Sequence, residues 1–291
     1  MYTDCRLCGR KCGVDRTSGG RGYCKMTDEI HIARADLHMW EEPPISGTRG
    51  SGTVFFSGCS LGCIYCQNRD ISRGECGYSV SESRLSEIFL GLRDKGAHNI
   101  NLVTATHYVP SVISAVSDAR AKGLDVPIVY NTGSYDTPET VRSLSDTVNV
   151  WLPDLKYYKS STAYEYSRAS DLPKVAREAI DEMVALAPAP VFDKSGIMTS
   201  GVIVRLLLLP GHVAEAKLNL KYLYEKYKNG IYVSLMSQYT PMAGMPSPLN
   251  RRVTVAEYSE LVGYAERLGV VNAFIQDRES VGEEYIPPFQ V

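Results

Sequence analysis

Apolar residues in this chain form short continuous runs, separated by stretches in which they recur every three or four positions. From residue 53 onward the two patterns alternate. The continuous runs predict strands at 53–56, 100–103, 127–130, 148–152, 202–208 and 231–235. Leu85, Ile88, Phe89 and Leu92 share one helical face and predict a helix over 81–95. Further helices are expected at 109–122, after Thr137-Pro138, at 171–186 and at 214–227. In the third of these, Val175, Ile180, Met183 and Val184 supply the apolar face. Thr137 is a good N-cap, and Pro138 suits the first helical position because its missing N–H needs no partner there. Thr254 with Glu257 reads as a capping box that opens a helix to Leu268.

Alternating strands and helices predict an α/β fold with parallel strands inside and helices outside. The strand runs do not alternate with polar residues, as expected where both faces are buried. Six strands are too few for a closed eight-stranded barrel. Residues 49–291 are read as this main unit with a C-terminal tail, and residues 1–48 as a small segment and connector. The Pro43-Pro44 pair predicts extended backbone in the connector. His38, Glu41 and Glu42 read there as solvated or packing residues.

Composition narrows the class. The 291 residues are 44% hydrophobic and 22% charged, ordinary for a soluble globular chain. A net charge of −2 provides no global basic field, which argues against a nucleic-acid partner. No apolar run approaches the ~20 residues of a membrane span, and the opening residues do not resemble a signal peptide. Seven of the 8 cysteines fall into two tight groups rather than a dispersed framework. In a chain of this size without an export signal, that spacing predicts metal ligation in a reducing cytoplasm rather than disulfides.

The first group is Cys5, Cys8, Cys12 and Cys24, set among Gly9, Gly13, Gly19, Gly20 and Gly22. Four thiols in so short a segment suit a closed zinc site or a four-cysteine iron–sulfur cluster, and spacing does not choose between them. Metal binding would then supply folding energy to a segment with little apolar core. Free surface thiols are the alternative. The second group, Cys59, Cys63 and Cys66, directly follows the first predicted strand. Three soft thiolates suit an iron–sulfur cluster or zinc. Held by three, a four-iron cluster keeps one iron open to a non-protein ligand, whereas an electron carrier takes four cysteines. Cys76 has no neighbour in sequence and reads as a packed thiol.

In α/β barrels, reacting groups gather where strands end. Here the strand ends carry Thr104-Ala105-Thr106-His107, Asn131-Thr132-Gly133-Ser134, Asp154-Leu155-Lys156, Arg205 and Ser237-Gln238-Tyr239. Together they predict a polar ligand over the mouth. His212, beyond Pro210-Gly211, reads as a loop residue.

The Cys-x3-Cys-x2-Cys spacing, with Tyr65 just before the last cysteine, resembles the signature of the radical S-adenosylmethionine (SAM) enzymes. The resemblance implies an open partial (β/α)6 barrel. It also implies a [4Fe-4S] cluster on Cys59, Cys63 and Cys66, whose open iron is chelated by the amino and carboxylate groups of SAM. An electron from the cluster would cleave the S–C5′ bond and give a 5′-deoxyadenosyl radical, with Tyr65 against the adenine. Arg205 or Lys156 suits the SAM carboxylate, backbone near Thr104, Ala105 and Thr106 its ammonium, and Asn131 its ribose or carboxylate.

Over roughly residues 50–275 the motifs resemble the pyruvate formate-lyase activating enzyme and its relatives. That family's Asp-Met/Leu-Lys element matches Asp154-Leu155-Lys156, where the Lys meets SAM and the Asp helps hold a monovalent cation. Its Arg before a Val/Leu-Pro-Gly turn matches Arg205 with Leu209-Pro210-Gly211. Its Asp-Thr-Asn-Gly matches Asn131-Thr132-Gly133 only loosely. Its Gly-Gly-Glu, which binds the SAM amino group, is replaced by Thr104-Ala105-Thr106 without an acidic side chain. Its histidine after the sixth strand is replaced by Gln238 or Tyr239. The four-cysteine segment resembles a branch of uncharacterised homologues.

The resemblance implies hydrogen abstraction from a glycine of a partner glycyl-radical protein, with a flavodoxin or ferredoxin as electron donor. The same chemistry on a small molecule or RNA is a second reading, and a non-catalytic zinc-binding module a third. Substrate selection is expected from the loops beyond the last three strands and from residues 276–291.

Overall fold

The computed structural model of the chain describes residues 1–74 and 76–276. In chain order the elements are β1 (Ile30–His38), α1 (Pro43–Ser46), β2 (Ser51–Phe56), α2 (Arg69–Ser72), β3 (Tyr78–Val80), α3 (Glu82–Asp94) and β4 (Ile100–Val103). There follow α4 (Val109–Ala121), β5 (Ile128–Thr132), α5 (Pro138–Ser143), β6 (Val150–Pro153), α6 (Ser160–Ser167) and α7 (Leu172–Leu186). The last are β7 (Val191–Phe192), β8 (Met198–Leu207), α8 (Val213–Tyr227), β9 (Tyr232–Met236), α9 (Val255–Leu268) and β10 (Ala273–Ile275).

All six predicted strands form, and β2, β4, β5, β6, β8 and β9 pair in parallel in that spatial order. The parallel run continues into β10 beyond β9. At the other edge β1 pairs antiparallel with β2, and β3 with β1. The result is an open sheet of the partial-barrel kind. Side chains alternate between its faces. On β8, Val202, Val204 and Leu206 join the large core under the helices, whereas Ile203 joins a smaller inner cluster. That inner cluster also holds Val129, Val150, Leu152, Met198 and Ile45 of α1.

Predicted caps form as expected. Thr137 accepts from the Thr140 N–H, and Thr254 with Glu257 makes the reciprocal capping box. The region 30–52 departs from its reading as a connector. Ile30–His38 is a strand, and Pro43 and Pro44 open a helix rather than extend the chain. Proline's fixed φ suits a first helical turn, and only the residue before the pair, Glu42, is held extended (φ −51°, ψ 146°). α1 is pinned inside the sheet: Asn99 Nδ2 donates to the Ile45 carbonyl at 2.7 Å, and Ser51 Oγ donates to Asn99 Oδ1 at 2.6 Å. Among the described residues, no helix is long and apolar enough to cross a membrane.

The four-cysteine segment lies against the sheet. Gly9 N–H donates to the Tyr135 carbonyl at 2.9 Å, and Thr137 N–H to the Leu7 carbonyl at 3.2 Å. Arg16 is fully buried between the two parts and donates to the carbonyls of Met26, Thr27 and His107. A buried guanidinium is tolerated only when its donors are met. Replacing Arg16 by Met would strand these carbonyls and should cost about 2–4 kcal/mol. Denaturant unfolding of the anaerobic protein checks this, and a change below about 0.5 kcal/mol would show that Arg16 does not fasten the segment.

Candidate functional site

Parallel register places the charged strand-end residues side by side. Asp154 bridges to Arg205, and Arg205 pairs with Ser234 of β9. Residues level across a sheet point to one face. Arg205 Nε donates to Asp154 Oδ1 at 2.7 Å, and Lys156 Nζ to Asp154 Oδ2 at 2.6 Å. Arg205 Nη2 donates to Asn131 Oδ1, and its Nη1 lies 3.5 Å from Glu41 Oε2. Asn101 and Asn131 donate their amides to Glu41 Oε1 at 2.9 and 3.4 Å. Three side chains at the centre are largely buried: Arg205 is 13% exposed, Lys156 16% and Asp154 19%.

Burial alone would raise the pKa of Asp154, but Arg205 and Lys156 overcome it and hold the carboxyl below its ordinary value. Burial opposes the charge of Lys156, yet Asp154 and the Cys63 thiol hold its pKa above the ordinary value. Glu41 and Glu42 go the other way. Burial raises both, with Arg205 opposing only in part. The sequence reading gave this pair a solvated or packing role. Instead Glu41 closes the charged network, and Glu42 is 8% exposed beside Arg205 and Ser234. Two adjacent acids ahead of a helix-opening proline pair were the available signal.

The thiol loop turns on glycines. Gly58 and Gly62 take φ +87° and +59°, a region that costs other residues strain. A Cβ on Gly58 would also meet Met26 Cγ at 2.3 Å. Ser167 Oγ donates to Cys63 Sγ at 2.9 Å, and Leu61 N–H points at Cys59 Sγ at 3.4 Å. Burial raises the Cys59 and Cys66 thiols, and their sulfur neighbours add to it; Cys66 is pushed up to about 12. Thiols that raise one another's pKa in a buried loop are matched to a cationic centre, which deprotonates them on binding. The donor set therefore fits an iron–sulfur cluster.

In the N-terminal segment, burial pushes Cys8 up to about 12, and Cys24, Cys12 and Cys5 are close enough to add to the rise. Among the described residues, no three His, Cys, Asp or Glu side chains converge on a single-ion site. The metal reading of both cysteine groups rests on donor chemistry, spacing and this mutual influence. Arg10 ties the segments together by donating to the carbonyls of Ser60 and Ser167 at 2.9 Å. Cys76 packs on the small cluster of Ala33, Phe55, Ile71 and Val103, as read from sequence.

A cleft of about 210 Å3 joins the loop to the charged network, lined by Cys63, Tyr65, Cys66, Asp154, Lys156, Arg205 and Gln238 among others. The hydroxyls of Tyr65 and Tyr157 are 2.8 Å apart, and Tyr166 and Tyr239 meet the Tyr65 ring edge to face. Asn131 stands behind the cleft as the acceptor for Arg205. Cys59 is not among the lining residues. Neither are Thr104, Ala105 and Thr106, whose surroundings differ. Ala105 and Thr106 are buried, and the Thr106 hydroxyl accepts from Tyr130. Thr104 holds φ +62°, a conformation glycine adopts without strain. His107 is buried and donates through Nε2 to the Ser57 carbonyl at 2.7 Å, its pKa lowered by burial to about 3. His212 contacts Tyr166 and Glu215 next to its loop. Of the segment 276–291 read as selective, only Gln276 lies within the described residues, where it donates to Gln238 Oε1 at 2.8 Å.

Residues 46–162, less than half of the chain, match the family described as a 4Fe-4S single cluster domain. The uncharacterized protein MJ0674 of Methanocaldococcus jannaschii is 25% identical over 276 residues, which cover 92% of this chain and 75% of that protein. The crystal structure of Streptococcus suis SuiB bound to precursor peptide SuiA superposes with a TM-score of 0.50 at 11% identity, over 75% of this chain and 46% of SuiB. SuiB bound to S-adenosylmethionine gives a TM-score of 0.49 at 12% identity, over 75% of this chain and 48% of SuiB. The chain thus spans less than half the length of these solved structures, and the first likeness establishes a shared fold.

Asp154→Asn should leave two buried cations short of their common partner and cost about 3–5 kcal/mol. Because folding lowers the Asp154 pKa, its contribution is complete above the unfolded value of about 3.9. It drains away as pH falls through the lower folded value. Denaturant unfolding at neutral pH and through the acid limb measures both. An Asn variant as stable as the parent, with an unchanged acid limb, would refute the arrangement.

Proposed function

We propose that the chain is a radical SAM enzyme, reductively cleaving S-adenosylmethionine at a [4Fe-4S] cluster held by Cys59, Cys63 and Cys66. The observation that carries this reading is the cleft in which the thiol loop meets Lys156, Asp154 and Arg205. The 4Fe-4S family match over residues 46–162 and the shared fold support it. When bound, cluster and SAM supply a 5′-deoxyadenosyl radical, and the protein's own groups bind and orient.

Lys156 suits the SAM carboxylate, kept cationic by Asp154. Asp154 in turn fixes Arg205, so one carboxylate sets the position of both cations. Tyr65, held by Tyr157, offers an aromatic face beside Cys66, and the surrounding tyrosines limit water at the site. Gln238 and Tyr239, either of which could replace the family's histidine, both line this cleft.

The finer reading is an activating-enzyme-like protein that draws hydrogen from a protein or peptide, with a flavodoxin or ferredoxin as donor in the cytoplasm. SuiB binds a precursor peptide, and a polypeptide substrate is proposed for this chain on the same fold. Cys5, Cys8, Cys12 and Cys24 are proposed as a second metal site. Contact of Arg10 with both Ser60 and Ser167 sets that segment against the cluster loop, a position suited to electron relay if the metal is iron.

Anaerobic reconstitution followed by dithionite and SAM should yield 5′-deoxyadenosine. Cys63→Ala should abolish the product and the low-temperature EPR signal of the reduced cluster, while Cys5→Ala reduces SAM cleavage far less. Lys156→Ala should weaken SAM binding about tenfold or more. Undiminished deoxyadenosine from Cys63→Ala would sink the assignment.

A further inference from the structure

A second cavity, of about 350 Å3, opens beside Glu41 and Glu42 of the charged network. It is lined by the segment 39–43, by Ser234, Met236 and Gln238 of the β9 region, and by residues 273–276. Met236 and Gln238 also line the cleft beside the thiol loop, so the two spaces share a wall. Of the acidic pair in this segment, Glu41 closes the charged network, but the SAM reading leaves Glu42 without a task.

The hydrogen-bond inventory of the cavity is one-sided. Arg205 is committed to Asp154, Asn131 and Glu41, so it offers little to an incoming anion. The buried polar atoms left without a partner here are acceptors. Glu42 lines this cavity with a side chain more than nine-tenths buried, and its Oε2 is a buried acceptor without a partner; Asn101 Oδ1, on the amide that donates to Glu41 behind the lining, is another. Three acidic side chains, Glu41, Glu42 and Asp154, adjoin two cations, Arg205 and Lys156. A buried acceptor without a donor costs about 1–3 kcal/mol, more when charged, and a ligand carrying N–H donors and positive charge recovers it. The rest of the wall is apolar. Trp40 is 61% exposed, and Met39, Phe274 and Ile275 stand with it around the opening. An aliphatic stem fits such a wall, and a cation gains from a nearby aromatic face.

We propose that this cavity binds the substrate through an alkylammonium group, with Glu42 as its anchor and Trp40, Met39 and Phe274 along its stem. This deepens the radical SAM reading and rests on it, because the wall shared at Met236 and Gln238 sets the cavity beside the cleft where the radical would form. The same chemistry belongs to a lysine side chain of a peptide and to a free diamine.

The test is a titration of the anaerobically reconstituted full-length protein, read by calorimetry and by Trp40 fluorescence, with Trp40→Phe locating the optical signal. The probes are cadaverine, a terminally blocked Gly-Lys-Gly peptide, the side-chain-acetylated or diacetylated form of each, and glutarate. At least one amine should bind about tenfold or more tightly than its acetylated form, with glutarate weakest. Glu42→Gln should erase that preference. If this variant does not fold, Glu42→Asp should keep the preference with lower affinity, and the wild-type comparison needs no variant. Tighter binding of the peptide assigns a lysyl residue, and tighter binding of cadaverine assigns a free amine; either supports the anchor. Equal affinity for amine and acetylated forms, binding of no probe, or a preference that survives Glu42→Gln overturns it. The titration uses neither reductant nor SAM, so amine selection and SAM cleavage can fail independently.

Discussion

A guanidinium inside an open barrel is the constraint from which the site follows. Arg205 stands on β8 with its side chain 13% exposed. A charge so placed is tolerable only when its donors find acceptors, since an uncompensated buried ion costs several kcal/mol. Asp154 meets it from the neighbouring strand, Asn131 from the strand beyond, and Glu41 from a segment that has to enter the barrel to reach it. The demand for acceptors thus does more than place one side chain. It fixes the level at which β6 and β8 are joined, and it gives the stretch before α1 a reason to lie inside the sheet. Ile45 then completes the apolar cluster on that inner face.

The same carboxylate serves two cations. Asp154 spends one oxygen on Arg205 and the other on Lys156, so the position of Lys156 near Cys63 depends on the barrel interior as well as on its own loop. Order passes from strand register to the thiol loop in this way. Gln238 extends it: its backbone carbonyl accepts from Gln67 of the loop, and its side chain accepts from Gln276. The site is therefore braced from the strand ends rather than by the loop alone.

Much of this was legible before any coordinates. Three closely spaced thiols after an apolar run announce themselves, and the long helices carry periodicity and caps in a few adjacent residues. Asp154, Lys156 and Arg205 were visible as polar residues where strands end. Their joining was not, because parallel register is set by pairing between distant segments. Glu41 was missed for the same reason in stronger form: its partner Arg205 lies 164 positions away. Local sequence offered only two acids before two prolines, a pattern equally at home on a surface. The short strands β7 and β10, of two and three residues, carry too little pattern to register. β1 is different: Ile30, Ile32 and Ala33 are buried, but their pattern does not alternate cleanly, and the flanking charges masked a strand whose far half is only partly buried.

The distribution of charge also explains why two adjoining spaces can serve different groups. On the loop side, the cation Lys156 stands at the cleft, with Asp154 behind it and thiols across from it. In the second space Arg205 does not reach the lining and its donors are spent on Asp154, Asn131 and Glu41, so the cavity presents acidic and apolar side chains. A single network therefore offers cations beside one acid to one space and acidic side chains without a cation to the next. Under the proposed reading, a carboxylate would be favoured in the first space and an ammonium in the second, because reversing them would set like charges together in a largely buried place. That polarity comes from meeting Arg205 with Asp154 at Nε and with Glu41 at Nη1, while the second oxygen of Asp154 holds Lys156.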